Sequence, residues 1–244
     1  MLGSMRLPNF SGRKVCVIGP SSGVVEDLDG VELSSFDLVV RMNRACEIPI
    51  VVNDKEIWEH DVYVRNQTGN RPGAVAGHYT ESGFQRAGVK IVLLLCYRWR
   101  DVTRLLRHLV QIRSFGSRPQ VGVFLPMMIS EYARMIDGAK PTTGFVTLAW
   151  LLRQPLSALH IAGFSFAQTS YMPGYNDNLA TDEQALVRLE ADMNDPKRHK
   201  PLTEKRVIRR LISEAQERSC KVTVGPTVAD ALTKNDPTSS STNR

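Results

Sequence analysis

Lys14-Val15-Cys16-Val17-Ile18-Gly19-Pro20-Ser21-Ser22-Gly23 is the stretch whose reading decides the fold. Four apolar residues in a row, three of them β-branched, pass at once into a Gly/Pro/Ser loop. That is the pattern of a buried strand running into a tight turn. Runs of the same kind recur at Phe36 to Met42, Asp61 to Val64, Lys90 to Leu95, Val121 to Leu125, Leu159 to Ala162 and Val222 to Val224. Helical spacing lies between them. Val102 to Ile112 places Leu105, Leu106, Leu109 and Ile112 on one face, and Thr142 to Leu152 reads as a buried helix behind Pro141. Asp182 to Asp192 reads as a polar surface helix. Glu204 to Gln216 is amphipathic, with Ile208, Leu211, Ile212 and Ala215 inward. Strands alternating with helices predict an α/β fold: a Rossmann-like, largely parallel sheet flanked by helices. Ligands of such sheets collect at the carboxyl ends of the strands. The segments ending in Gly19, Asn43, Gly163 and Gly225 are therefore expected to converge on one crevice.

The chain has 244 residues, 42% of them apolar and 23% charged, enough for one substantial core. Residues 13–233 are read as a single domain, 1–12 as an N-terminal extension, and the Ser/Thr/Asn/Pro-rich 234–244 as a disordered tail. The formal charge of +6 suits an anionic ligand such as a nucleotide, an acidic sugar or a phosphorylated glycolipid surface. No aromatic-plus-basic motif points to nucleic acid. Cys16, Cys46, Cys96 and Cys220 are scattered, with no metal-ligand spacing. Three sit in or beside apolar runs, as free thiols do in a reducing compartment. Met1 to Gly12 lacks the apolar core of a secretory leader, and the longest apolar runs fall far short of a membrane span. A cytoplasmic location is expected, with peripheral contact at the inner membrane surface left open.

Four constellations carry chemistry. Gly19-Pro20-Ser21 follows a strand, where backbone N–H groups approach phosphates; a plain strand-to-helix turn fits equally. Arg41 and Asn43 end a strand and face either a ligand or a snorkelled, turn-capping role. Pro141-Thr142-Thr143-Gly144 opens a helix, which makes both an anion site and an ordinary cap. His199 lies in the loop before the helix that carries Glu204. A nearby helix start disfavours imidazolium, as a general base requires; a solvated basic run (Lys197, Arg198, Lys200) is the alternative.

In this order the pieces resemble sialyltransferases. Gly19-Pro20-Ser21 with Phe36-Asp37 through Arg41-Met42-Asn43-Arg44-Ala45 resembles their large L motif. Thr142-Thr143-Gly144 through Ile161-Ala162-Gly163-Phe164 resembles the small S motif, and His199 with Glu204 matches the HxxxxE very small motif. Val222-Thr223-Val224-Gly225-Pro226 is similar to the last strand of the Campylobacter-type bacterial members. The animal members usually carry Asn where this chain has Pro20. Their disulfide between L and S motifs has no counterpart.

The resemblance implies a GT-A-variant glycosyltransferase that moves a sialic acid from CMP-sialic acid to a hydroxyl of a glycan or glycolipid acceptor. It implies that Gly19, Pro20, Ser21 and Asn43 hold CMP, and that Thr142, Thr143 and Gly144 bind the donor near its phosphate or carboxylate, with Phe164 among the substrate-binding residues. His199 would be the base, paired with Glu204, and Tyr171 or Tyr175 would meet the departing phosphate. The leaving phosphate can be met by hydrogen bonds and helix-end dipoles, so inverting transfer without metal or cofactor is expected. A CMP-Kdo or other CMP-sugar transferase, or an inactive nucleotide- or glycan-binding protein of the same fold, remains open.

Overall fold

The computed structural model describes residues 6–66, 75–195 and 198–234. The opening apolar run forms β1 (Lys14–Ile18), followed by α1 (Val24–Leu28) and β2 (Leu38–Met42). A short hairpin, β3 (Ile50–Val52) and β4 (Lys55–Ile57), precedes β5 (Val62–Asn66), α2 (Glu81–Ala87) and β6 (Ile91–Leu95). Then come α3 (Val102–Arg113), β7 (Gln120–Phe124), α4 (Pro126–Arg134), α5 (Thr143–Leu152) and β8 (Ala158–Ala162). The chain closes with α6 (Asp182–Asn194), α7 (Pro201–Glu217), β9 (Lys221–Val224) and α8 (Pro226–Thr233).

Seven strands form one sheet in the order β7-β6-β5-β2-β1-β8-β9, and every adjacent pair is parallel. A parallel sheet is covered on both faces, which is why its strands are apolar along their whole length. Successive side chains feed different cores: Val15 and Val17 pack with α4, α5 and α7, while Cys16 and Ile18 pack with α1. Across β5 and β6 the second face is completed by Phe84 of α2 and Leu105, Leu109 and Ile112 of α3. Helix α5, apolar all round, is buried throughout apart from Gly144.

The strand order turns at β1. From β1 the chain steps outward through β2, β5, β6 and β7, then returns to lay β8 against β1's other side. That reversal opens a crevice at the carboxyl ends of β1 and β8, where ligands of such sheets bind.

Several details differ from the sequence expectation. Leu106 points outward, and His108 takes its place in the inward stripe because its ring pairs with the buried Tyr79 hydroxyl. Ile212 is only half-buried. Within the stretch read as an extension, Phe10 is buried edge-on against Trp150, and its N–H donates to Gln154. Residues 235–244 of the expected tail lie outside the described residues. Cys16, Cys96 and Cys220 are buried and free; Cys46 is free and half-buried. No described helix is long and apolar enough to cross a membrane.

Candidate active site

The floor of the crevice is backbone laid on backbone. A Cβ on Gly19 would fall onto the carbonyl of Gly163, and one on Gly163 would lie 2.5 Å from the carbonyl oxygen of Gly19. Gly163 also has φ +71°, a left-handed conformation that glycine adopts without strain. The crossing is held by Asp27 of α1, whose side chain is buried. Its carboxylate accepts from Gly163 N and from the Thr227 hydroxyl, each at 2.7 Å, and from Thr227 N, also at 2.7 Å. One carboxylate thereby ties α1, the end of β8 and the start of α8 together.

The loop after β1 spends its amides on this floor. Gly19 N donates to Ala162 O, Ser21 N to Gly163 O and Ser22 N to Ser170 O. The phosphate-cradling N–H groups expected of Gly19 and Ser21 are therefore already paired, and Pro20 has none. The loop offers the crevice the Pro20 ring and the Ser21 hydroxyl, a buried oxygen with no hydrogen-bond partner among the described residues. A buried hydroxyl without a partner is costly unless something else meets it.

Above the floor is a cleft of about 660 Å³. Its lining includes Pro20, Ser21, Asn43, Thr142, Thr143, Gly144, Phe164, Tyr171, Tyr175, His199 and Glu204. Eleven of the twelve predicted site residues thus meet in one cavity; Gly19 lies beneath it. Arg41 does not take part. It is completely buried, and its guanidinium donates to the carbonyls of Ala45, Ile48 and Ile57, so it braces the turn after β2.

Asn43 stands at φ +51°, a left-handed position that Asn tolerates. Its Oδ1 accepts from Asn66 N at 3.1 Å, joining the ends of β2 and β5, and its side chain hydrogen-bonds Tyr175. The rings of Tyr175 and Tyr171 lie 4.9 Å apart. Burial raises both phenols above their ordinary pKa, so both are neutral O–H groups in the wall.

Helix α5 begins at the opposite wall. The Thr142 hydroxyl accepts from Phe145 N as its N-cap and donates to Glu204. The N–H groups of Thr143 and Gly144 have no intrahelical acceptor, so the helix presents free donors and the positive end of its dipole. Gly144 is glycine because Phe164 lies against it: a Cβ there would sit 3.1 Å from the ring.

His199 sits two residues before α7, next to the N-cap Lys200, and is half-buried. Its Nδ1 lies 2.7 Å from the carbonyl of Lys140. A carbonyl only accepts, so Nδ1 carries the proton and Nε2 keeps its lone pair. Burial lowers the imidazole pKa, the Lys140 carbonyl opposes this, and the Lys140 charge lowers it further. Glu204 makes no hydrogen bond to the ring. Its carboxylate accepts from Thr142 N and Thr142 Oγ1, each at 2.7 Å. Those bonds pin the segment whose Lys140 carbonyl fixes the imidazole, so Glu204 acts on His199 through Lys140-Pro141-Thr142. Burial pushes Glu204 up to about 7, against the two Thr142 bonds.

Tyr97 and Lys140 are among the lining residues that the motif reading passed over. Tyr97 hydrogen-bonds Thr143, and Lys140 lies 5.5 Å from the Tyr97 ring. Tyr97 directly follows an apolar strand, and the strand-end rule that singled out Asn43 applies to it equally. No group of three or more metal-competent side chains occurs among the described residues.

No protein-family model and no curated protein matches the chain. Among solved structures, a mammalian sialyltransferase superimposes with a TM-score of 0.51 at 15% identity, over 88% of this chain and 70% of that one. A mammalian sialyltransferase in complex with Gal-beta-1-3GalNAc-ortho-nitrophenol gives 0.49 at 16% identity over the same shares. The fold is a sialyltransferase-like α/β fold.

Proposed function

We propose that the chain is a glycosyltransferase that uses a CMP-activated sialic acid and a glycan or glycolipid hydroxyl as acceptor. The observation that carries this reading is the His199 ring. It lines the cleft at the sheet's switch point with its tautomer set by Lys140 and Nε2 left basic. In the proposed reaction Nε2 takes the proton of the acceptor hydroxyl as its oxygen attacks the anomeric carbon. The bond to CMP breaks on the opposite side, which inverts the centre. The leaving group is a phosphodiester and the transition state is oxocarbenium-like, so a single positioned base suffices and contributes about 10²–10⁴-fold. The departing phosphate would meet the start of α5 and the neutral Tyr171 and Tyr175 hydroxyls. The unpartnered Ser21 hydroxyl supports a polar ligand group over the β1 loop.

Two measurements test the proposal. CMP, compared with UDP, GDP and S-adenosylmethionine, is expected to be the one nucleotide that raises the thermal midpoint. His199→Ala is expected to keep that shift and lose CMP release from donor plus acceptor. Full turnover in the variant would remove His199 as base. Assays with CMP-sialic acid and CMP-Kdo separate the nine- and eight-carbon donors.

A further inference from the structure

One cluster of positive charge lies beside the mouth of the cleft. Between Tyr97 and Arg118 there are six arginines and one aspartate, in a protein whose formal charge is +6. The aspartate, Asp101, is engaged by Arg104 at 3.6 Å. Arg98, Arg100, Arg107 and Arg113 are exposed and make no ion pair with any described residue.

Apolar side chains stand among them. Trp99 is 64% exposed, Leu106 49% and Val110 70%. Leu106 and Val110 are four residues apart on α3 and so share its outward face. Trp99, seven residues before Leu106 in a turn that leads directly into α3, falls on the same side. On the helix this ridge is flanked by Arg104 and Arg107 on one side and Arg113 on the other. The inward face of the helix is occupied by Leu105, His108, Leu109 and Ile112. An apolar ridge with an aromatic at one end and arginines along both edges is the composition of a surface that sits at a lipid interface.

We infer that the Trp99–Arg113 face docks on an anionic lipid bilayer. Three observations favour that occupant. A second copy of this chain in an isologous pair would set these arginines against their own counterparts, a like-charge contact. A nucleic acid would satisfy the arginines and leave Trp99, Leu106 and Val110 in water. A bilayer surface takes both, with guanidinium groups at the phosphates and the ridge at the acyl boundary. The face is also continuous with the cleft, since Arg98, Arg100 and Arg104 line it. On the transferase reading above, docking would hold the cleft mouth at the lipid surface, where a lipid-borne acceptor presents its sugar.

Co-sedimentation with extruded vesicles tests the surface without calling on activity. The full chain is expected to pellet with phosphatidylcholine vesicles containing about one-third phosphatidylglycerol and to stay in solution with pure phosphatidylcholine, its binding weakening with salt. Each arginine near such a surface contributes roughly fivefold. Arg107→Glu with Arg113→Glu, both outside the cleft lining, is expected to lower binding by at least about 25-fold. Leu106→Ser with Val110→Ser is expected to lower vesicle binding and leave binding to a short DNA duplex unchanged. No binding to anionic vesicles, equal binding to neutral ones, or charge-reversed protein that binds normally overturns the inference. So does vesicle binding indifferent to the serine pair, the mark of a general polyanion surface. The CMP thermal shift in each variant reports folding. Vesicle binding without a CMP shift in the wild type removes the donor reading alone; a CMP shift without vesicle binding removes the dock alone.

Discussion

Replacing Glu204 with glutamine separates the charge of this side chain from its shape. In the folded protein the carboxyl is buried and held up to about 7, whereas in an unfolded chain it titrates at its ordinary value near 4.5. The folded state therefore binds this proton more tightly. Its contribution to stability is fully present below about pH 4.5 and is lost as pH rises through 7. At 1.36 kcal/mol per unit the full span is about 3 kcal/mol, of which about 2.5 kcal/mol falls between pH 5 and 8. Glutamine keeps an acceptor for Thr142 N and never ionises. The variant should thus gain on the wild type by about 2.5 kcal/mol between pH 5 and 8, or roughly 5–10 °C in thermal midpoint for a domain of this size. Urea titrations of both proteins at pH 5, 6, 7 and 8 measure the difference, with every other titrating group cancelling. Parallel stability curves would refute the reasoning, since Glu204 would then ionise as easily folded as unfolded.

Two further outcomes follow from the same geometry. Because burial and Lys140 lower the His199 pKa, the acid limb of kcat/KM should have its midpoint below the ordinary histidine value near 6.5; a midpoint above it would mean an imidazole stabilised as the cation. Gly19→Ala should cost at least about 2 kcal/mol in urea denaturation, because the added methyl meets the Gly163 backbone, which has no rotamer to yield; an alanine variant as stable as the wild type would mean that the two strand ends separate freely.

The parallel sheet was legible because its strands are buried on both faces. Lys14 to Ile18 and Lys90 to Leu95 are continuous apolar runs, and the structure keeps them as strands with ends shifted by at most one residue. Helices shorter than ten residues, too short to show a period, and the short hairpin were not legible. Helices α4 and α8 each start with Pro at the first helical position, where its missing N–H costs nothing. The β3–β4 hairpin turns on Asn53 and Asp54, both at positive φ, but Lys55 and Glu56 broke the apolar signal. His108 hid the true stripe of α3, because a histidine satisfied by a buried tyrosine counts as polar in any periodicity argument. At the site, the ends of β1, β2 and β8 and the loop before α7 meet at the cleft, whereas Gly225, expected there too, packs against Asp27 outside the cleft lining. The link from Glu204 through Thr142 to the Lys140 carbonyl was invisible, because it joins residues about 60 positions apart by backbone groups that carry no sequence signature.

The Asp27 carboxylate has a consequence for how the protein is made. Its partners are Gly163, 136 residues downstream, and Thr227, 200 residues downstream. At a synthesis rate of about 5–20 residues per second, roughly 10–40 s separate the emergence of Asp27 from that of Thr227. Until Gly163 emerges β1, β2 and their loop lack the floor contacts, and until Thr227 emerges they lack the tie to α8. A nascent chain thus has no finished cleft floor. A chain stopped between Glu204 and α8 would carry every predicted site residue and still lack the Thr227 part of the tie.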